Sequence, residues 1–147
     1  MVVVVIIGIV AAIGVANFVH MHNRAKEASV KNNMHTFQTA VEEFACLNMG
    51  LYPSDDNDQT FETGETLKDI LPVLKWPVNP FTGNLTQIFY VPNQANPEIP
   101  TNNDLPKGEF EYDSDGSGNP DAQKYAIHAG DGIVGNGRNL GLILKNF

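Results

Sequence analysis

Nineteen uncharged residues, MVVVVIIGIVAAIGVANFV (Met1 to Val19), open the chain, and Asn17 is the one strongly polar side chain among them. Twelve of the nineteen are Val, Ile or Phe. In water so β-branched a run reads as strand, but its length matches a membrane span and the pattern after it is helical with no breaker between. Lipid forces a backbone to satisfy its own hydrogen bonds, so a helix is expected. At about −0.3 to −0.6 kcal/mol each, the Val, Ile and Phe residues contribute roughly −4 to −7 kcal/mol toward a bilayer. Gly8 and Gly14 are the points where neighbouring helices can approach closely or where the helix can unwind.

From Val30 the apolar positions Met34, Phe37, Val41 and Phe44 step by four, three, four and three, a stripe on one face of an otherwise polar helix. No Gly or Pro interrupts the chain between Asn17 and Asn48. Span and stripe therefore join into one rod, roughly 70 Å long at about 1.5 Å per residue. No domain of this size needs such a spine for its own core. The rod makes sense where its first half, with Val2, Val5, Ile6, Ile9, Ile13 and Phe18, packs among copies of itself.

After Gly50 the period breaks, and Pro53 with Asp55-Asp56-Asn57-Asp58 marks a solvated loop. A short helix is predicted over Glu65 to Leu71, starting near Thr63 or Gly64 and stopped before Pro72. Trp76-Pro77 and Asn79-Pro80-Phe81-Thr82-Gly83 read as a turn whose aromatic residues pack the loop back onto the rod. Leu85 to Val91, Phe110 to Tyr112 and Tyr125 to His128 are short β-rich runs, and Leu140, Leu142 and Leu144 alternate as a further strand. Short connections favour an antiparallel sheet. The expected architecture is α+β: a long N-terminal helix with a short antiparallel sheet on its C-terminal half, burying Met34, Phe37, Val41 and Phe44. The chain divides into an apolar half-helix (1–24), an amphipathic half-helix (25–49), a loop region with the short helix (50–84) and a β region with C-terminal loops (85–147).

Charge sharpens the division. The net charge of −8 over 147 residues lies wholly after residue 49, where six basic residues face fourteen acidic ones. Nucleic-acid phosphates would be repelled, so DNA and RNA are disfavoured as partners. The single cysteine, Cys46, cannot form an intramolecular disulfide and reads as a small buried hydrophobe. It stands eleven residues from His35, about 16 Å along a helix, too far for a nucleophile and its base. A hydrolase built on His128 and Asp131 is a further reading.

Calcium has its candidates in Asp113, Asp115 and Asp121, within a stretch that begins like a calcium-binding loop but has Lys124 where a bidentate glutamate belongs. An acidic hairpin tip accounts for the same residues. Asn84-Leu85-Thr86 matches a glycosylation sequon. No cofactor is otherwise expected.

Three readings compete for the opening segment: a secretory signal, an ordinary anchor, and a filament-forming helix preceded by a basic leader and several residues before Met1. The segment's pattern, with Asn17-Phe18, Arg24-Ala25-Lys26, VKNNMHTFQTAVEEFA (Val30 to Ala45), GLYPS (Gly50 to Ser54), WPVNPFTG (Trp76 to Gly83) and YAIHAGDG (Tyr125 to Gly132), resembles the type IV pilins and the major pseudopilins of type II secretion. The likeness is close over the first 54 residues and patchy beyond. It implies a pilin-like fold and a structural subunit, not an enzyme, that waits in the bacterial inner membrane and polymerises into a helical filament, periplasmic or on the cell surface. A leader peptidase, a platform protein and an assembly ATPase would act on it. The family's assembly glutamate would precede Met1, the family's usual proline is replaced by Ala16, and the pseudopilin calcium loop would fall on Gly130 to Asn139, with Asp131 as its carboxylate. The alternative is a singly membrane-anchored binding module with an acidic head.

Overall fold

In a computed structural model that describes residues 1–72, 75–95, 97, 101, 105–116, 122–131 and 139–145, the N-terminal half-helix and the amphipathic half-helix form one helix, α1 (Val2–Leu47, 46 residues). It ends where the chain turns left-handed at Met49 (φ 58°) and Gly50 (φ 86°), with the Gly50 N–H donating back to the Ala45 carbonyl at 2.8 Å. Asn48 is fully buried at this corner. Its Oδ1 accepts the Phe61 N–H at 3.1 Å and its Nδ2 donates to the Leu51 carbonyl at 3.2 Å, so one side chain ties the following loop to the helix end.

The short helix forms as α2 (Leu67–Ile70). Thr66, not Thr63 or Gly64, stands at its N-cap, and both its N–H (3.0 Å) and its hydroxyl (2.7 Å) donate to the Asp69 carboxylate. That reciprocal cap, three residues apart in sequence, fixes the start.

Four strands follow: β1 (Ile88–Val91), β2 (Phe110–Ser114), β3 (Tyr125–Gly130) and β4 (Asn139–Lys145), in the order β1-β2-β3-β4. The last three pair antiparallel as expected. β1 departs from the expectation and runs parallel to β2. The connection from Val91 to Phe110 is long enough to cross a face of the sheet, which a hairpin cannot do. Of its described residues, Pro97 and Thr101 stand against His128 and Glu111, and Leu105 and Pro106 against Gly130.

The helical stripe meets the sheet as predicted. Val30, Met34, Phe37, Val41 and Phe44 are fully buried, together with Phe110 and Tyr112 of β2 and Tyr125 and Ile127 of β3. Phe37 is central: its ring stands edge-on to Trp76 at 5.9 Å and to Tyr112 at 5.8 Å. The tryptophan thus packs the 76–83 turn against the rod, and Asn33 Nδ2 holds it by donating to the Val78 carbonyl at 2.8 Å. Glu42, between two stripe positions, accepts hydrogen bonds from Tyr125 (2.5 Å) and Tyr52 (3.1 Å). Burial and the bond to the Glu42 carboxylate push the Tyr125 hydroxyl pKa far up, so it stays a donor at physiological pH. Cys46 corrects the sequence reading: it is exposed. Two residues beyond Phe44 is about 200° around a helix, which turns Cys46 away from the sheet.

Candidate assembly interface and the buried acidic face

The head covers α1 only from about Lys26 onward. Every large apolar side chain from Val2 to Met21 retains between 51% and 72% of its accessible surface. Val2, Val5, Ile6, Ile9, Ile13 and Phe18 are among them, and the exposed residues point to all sides of the helix. By length and composition this segment can cross a membrane. The helix runs unbroken through Gly8 and Gly14, and a methyl group added at either would meet nothing within 4 Å. Each glycine is therefore free space on the surface, available to a close neighbour. At the boundary Arg24 and Lys31 are exposed and make no ion pair with the described residues. Lys26 Nζ lies 5.5 Å and Lys107 Nζ 4.6 Å from the centre of the Phe81 ring, and Lys107 also reaches Glu27 at 3.8 Å.

A second polar feature lies inside the head. Alternation in β2 sends Phe110 and Tyr112 to the helix and Glu109, Glu111 and Asp113 to the opposite face, where solvent would be expected. All three acids are buried instead: Asn79 and Gln87 stand against Glu109, and Thr101 of the β1–β2 connection stands against Glu111. Their carboxylates supply acceptors that neighbouring backbone needs: Glu109 takes the Gln87 N–H and, at 2.9 Å, Asn79 Nδ2, and Glu111 takes the Thr101 N–H at 2.6 Å. The backbone N–H groups of Gln87 and Thr101 are thereby paired without a strand ladder. Fit is close at the end of β3, where a Cβ on Gly130 would stand 2.4 Å from the Pro106 carbonyl oxygen. Alternating acids in a strand were visible in the sequence; their cover was not.

His128 on β3 completes this face. Its Nε2 lies 2.9 Å from the Pro97 carbonyl oxygen and 3.2 Å from Asp113 Oδ2, with both side chains fully buried. Burial alone would lower the imidazole pKa, but the Asp113 carboxylate, the Pro97 carbonyl and the charge of Glu111 outweigh it, and the net shift is upward from 6.5. A pKa higher in the folded than in the unfolded chain contributes stability that is complete below the unfolded value and disappears as pH rises through the folded one. The melting temperature of the head is therefore expected to fall as pH is raised through and above 6.5, and His128→Gln is expected to flatten that slope in a circular-dichroism titration.

Of the calcium candidates, Asp113 and Asp115 have separate partners. Asp113 pairs with His128, while Asp115 is exposed and its Oδ1 accepts the N–H groups of Gln123 (2.8 Å) and Lys124 (2.9 Å), closing the turn before β3. Asp113 thus belongs to a buried strand and not to a hairpin tip. Asp121 and most of the loop from Gly130 to Asn139 lie outside the described residues, with Asp131 at that loop's described edge. Among the described residues no three His, Cys, Asp or Glu side chains are grouped to hold a metal ion. His128 is turned to Asp113, which the sequence had not paired with it. No known protein family, curated protein or solved structure matches the chain, so its function has to be read from the bare half of α1 and the head that it carries.

Proposed function

We propose that the chain is a structural subunit that polymerises into a helical filament, its apolar half-helices bundled in the centre and its acidic heads outside. The carrying observation is the apolar half of α1, uncovered on every side yet continuous with the helix at the core of the head. On the insertion scale the twelve bare Val, Ile and Phe side chains together favour an apolar surrounding by roughly 4–7 kcal/mol. Lipid or sibling helices must take them up. The resemblance of the N-terminal block to type IV pilins and pseudopilins supports siblings, with the inner membrane as the reservoir from which a leader peptidase, a platform protein and an ATPase deliver the subunit. The same surface also suits a solitary anchor carrying an acidic head, since lipid covers it equally well.

The glycines separate the two. Leucine at positions 8 and 14 makes the segment more apolar and leaves lipid anchoring intact, but it fills the spaces that a close neighbour would use. On slow removal of detergent the natural chain is expected to give filaments by electron microscopy, and Gly8→Leu/Gly14→Leu to give few or none while still partitioning into vesicles. A natural chain that stays monomeric as detergent is withdrawn is the anchor's result.

A further inference from the structure

β1 is an edge strand, and among the described residues no strand pairs with its outer side. Phe110 donates its N–H to the Gln87 carbonyl at 3.1 Å, in register with the Ile88–Phe110 pairing. The alternation of a parallel ladder then turns the N–H and C=O groups of Ile88 and Tyr90 away from β2. None of these groups has a hydrogen-bond partner among the described residues. They stand two residues apart, about 6.6 Å, the repeat at which another strand presents its own groups.

Alongside this edge runs a cleft of about 660 Å³, bounded by Trp76, by the chain from Asn84 to Tyr90 and by Asp56. Two hydroxyls in its wall, Thr86 Oγ1 and Tyr90 Oη, are buried with no hydrogen-bond partner among the described residues. Thr86 is 1% exposed. Among the described residues that line the cleft, the charged one is Asp56, and Asp56, Asp55 and Asp58, in that order, act on the Tyr90 hydroxyl to raise its pKa after burial itself. Asp55 and Asp58 already accept loop N–H groups, whereas Asp56 is exposed and only its Oδ1 is taken, by Asn57.

We propose that the β1 edge is a docking site for an extended basic peptide segment of another protein, which adds as a fifth strand and places a Lys or Arg side chain between Asp56 and the faces of Trp76 and Tyr90. Backbone pairing with Ile88 and Tyr90 supplies the register, and the carboxylate and aromatic rings select the cation. A second copy of this chain fits poorly, because residues 50–66 of each head carry five acidic and no basic side chains. This reading does not depend on filament formation.

Trp76 is the chain's single tryptophan, so its emission reports on the cleft. The test uses the full chain in detergent, titrated with an alternating Lys-Val peptide of about seven residues, long enough to cover the edge. A saturable change in Trp76 emission is expected with this peptide. The Glu-Val counterpart should give none, and neither should the Lys-Val peptide methylated at every backbone nitrogen, which keeps its charge and loses its donors. Asp56→Lys is expected to weaken binding about tenfold, and Glu43→Lys, an equal charge change on exposed helix outside the cleft, to leave it nearly unchanged. Equal responses to the methylated and unmethylated peptides, or equal losses in the two variants, would reduce the effect to charge attraction and overturn the proposal. So would an emission that shifts with the concentration of the chain alone and ignores the peptide, the signature of a second copy on the edge.

Discussion

A chain carrying Ile9→Asp and Ile13→Asp is expected to be recovered from the aqueous phase without detergent, folded, and unable to form filaments. Each aspartate at the centre of a span costs about 2.5–3.5 kcal/mol on the insertion scale, so two cost about 5–7 kcal/mol, as much as the apolar side chains of the segment together provide. Both residues are exposed and touch nothing in the head, so the fold of the head does not change. Fractionation of cells or vesicles checks the partition, and circular dichroism checks that the melting transition matches that of the natural chain. Retention in the membrane fraction, with filaments formed, would remove the apolar half-helix from the account of assembly.

Phe37→Ala reverses the pattern, destabilising the head and sparing the span. Phe37 is fully buried where Trp76, Phe110 and Tyr112 converge. Truncating such a residue costs about 3–5 kcal/mol, the lost transfer energy plus the cavity left behind. Against a usual total of about 5–15 kcal/mol that is a large share, and the melting temperature is expected to fall by roughly 6 °C or more, at about 2–8 °C per kcal/mol for domains of this size. Trp76 emission should shift at the same time, because its edge-on partner is gone. Membrane partition of the variant is expected to remain as in the natural chain, since residues 1–21 are untouched. A melting temperature within a few degrees of the natural one would mean that the stripe is not the core.

The helix and its stripe were legible because both signals are local. An uninterrupted run without Gly or Pro, followed by a three-and-four spacing, specifies one rod and the face it buries, and Met34, Phe37, Val41 and Phe44 are where that spacing puts them. The stripe's own geometry also turns Cys46 outward, about 200° around the helix from Phe44. Thr66 shows a finer limit: both it and Thr63 can cap a helix, and the choice fell to the one with an acid three residues on.

Local pattern is enough for the division of labour: a bare apolar half-helix, an amphipathic half that carries the core, and an acidic head with four short strands. The direction of β1, the burial of Glu109, Glu111 and Asp113, and the meeting of His128 with Asp113 arise from long-range packing. The reason is one of range. Periodicity records which face of an element is apolar, whereas the path of a long connection is set by which face of the sheet is still vacant once α1 has taken the other. β1 came to run parallel to β2, and Thr101 and Pro97 of the connection came to stand against Glu111 and His128, on a face that would otherwise have met water.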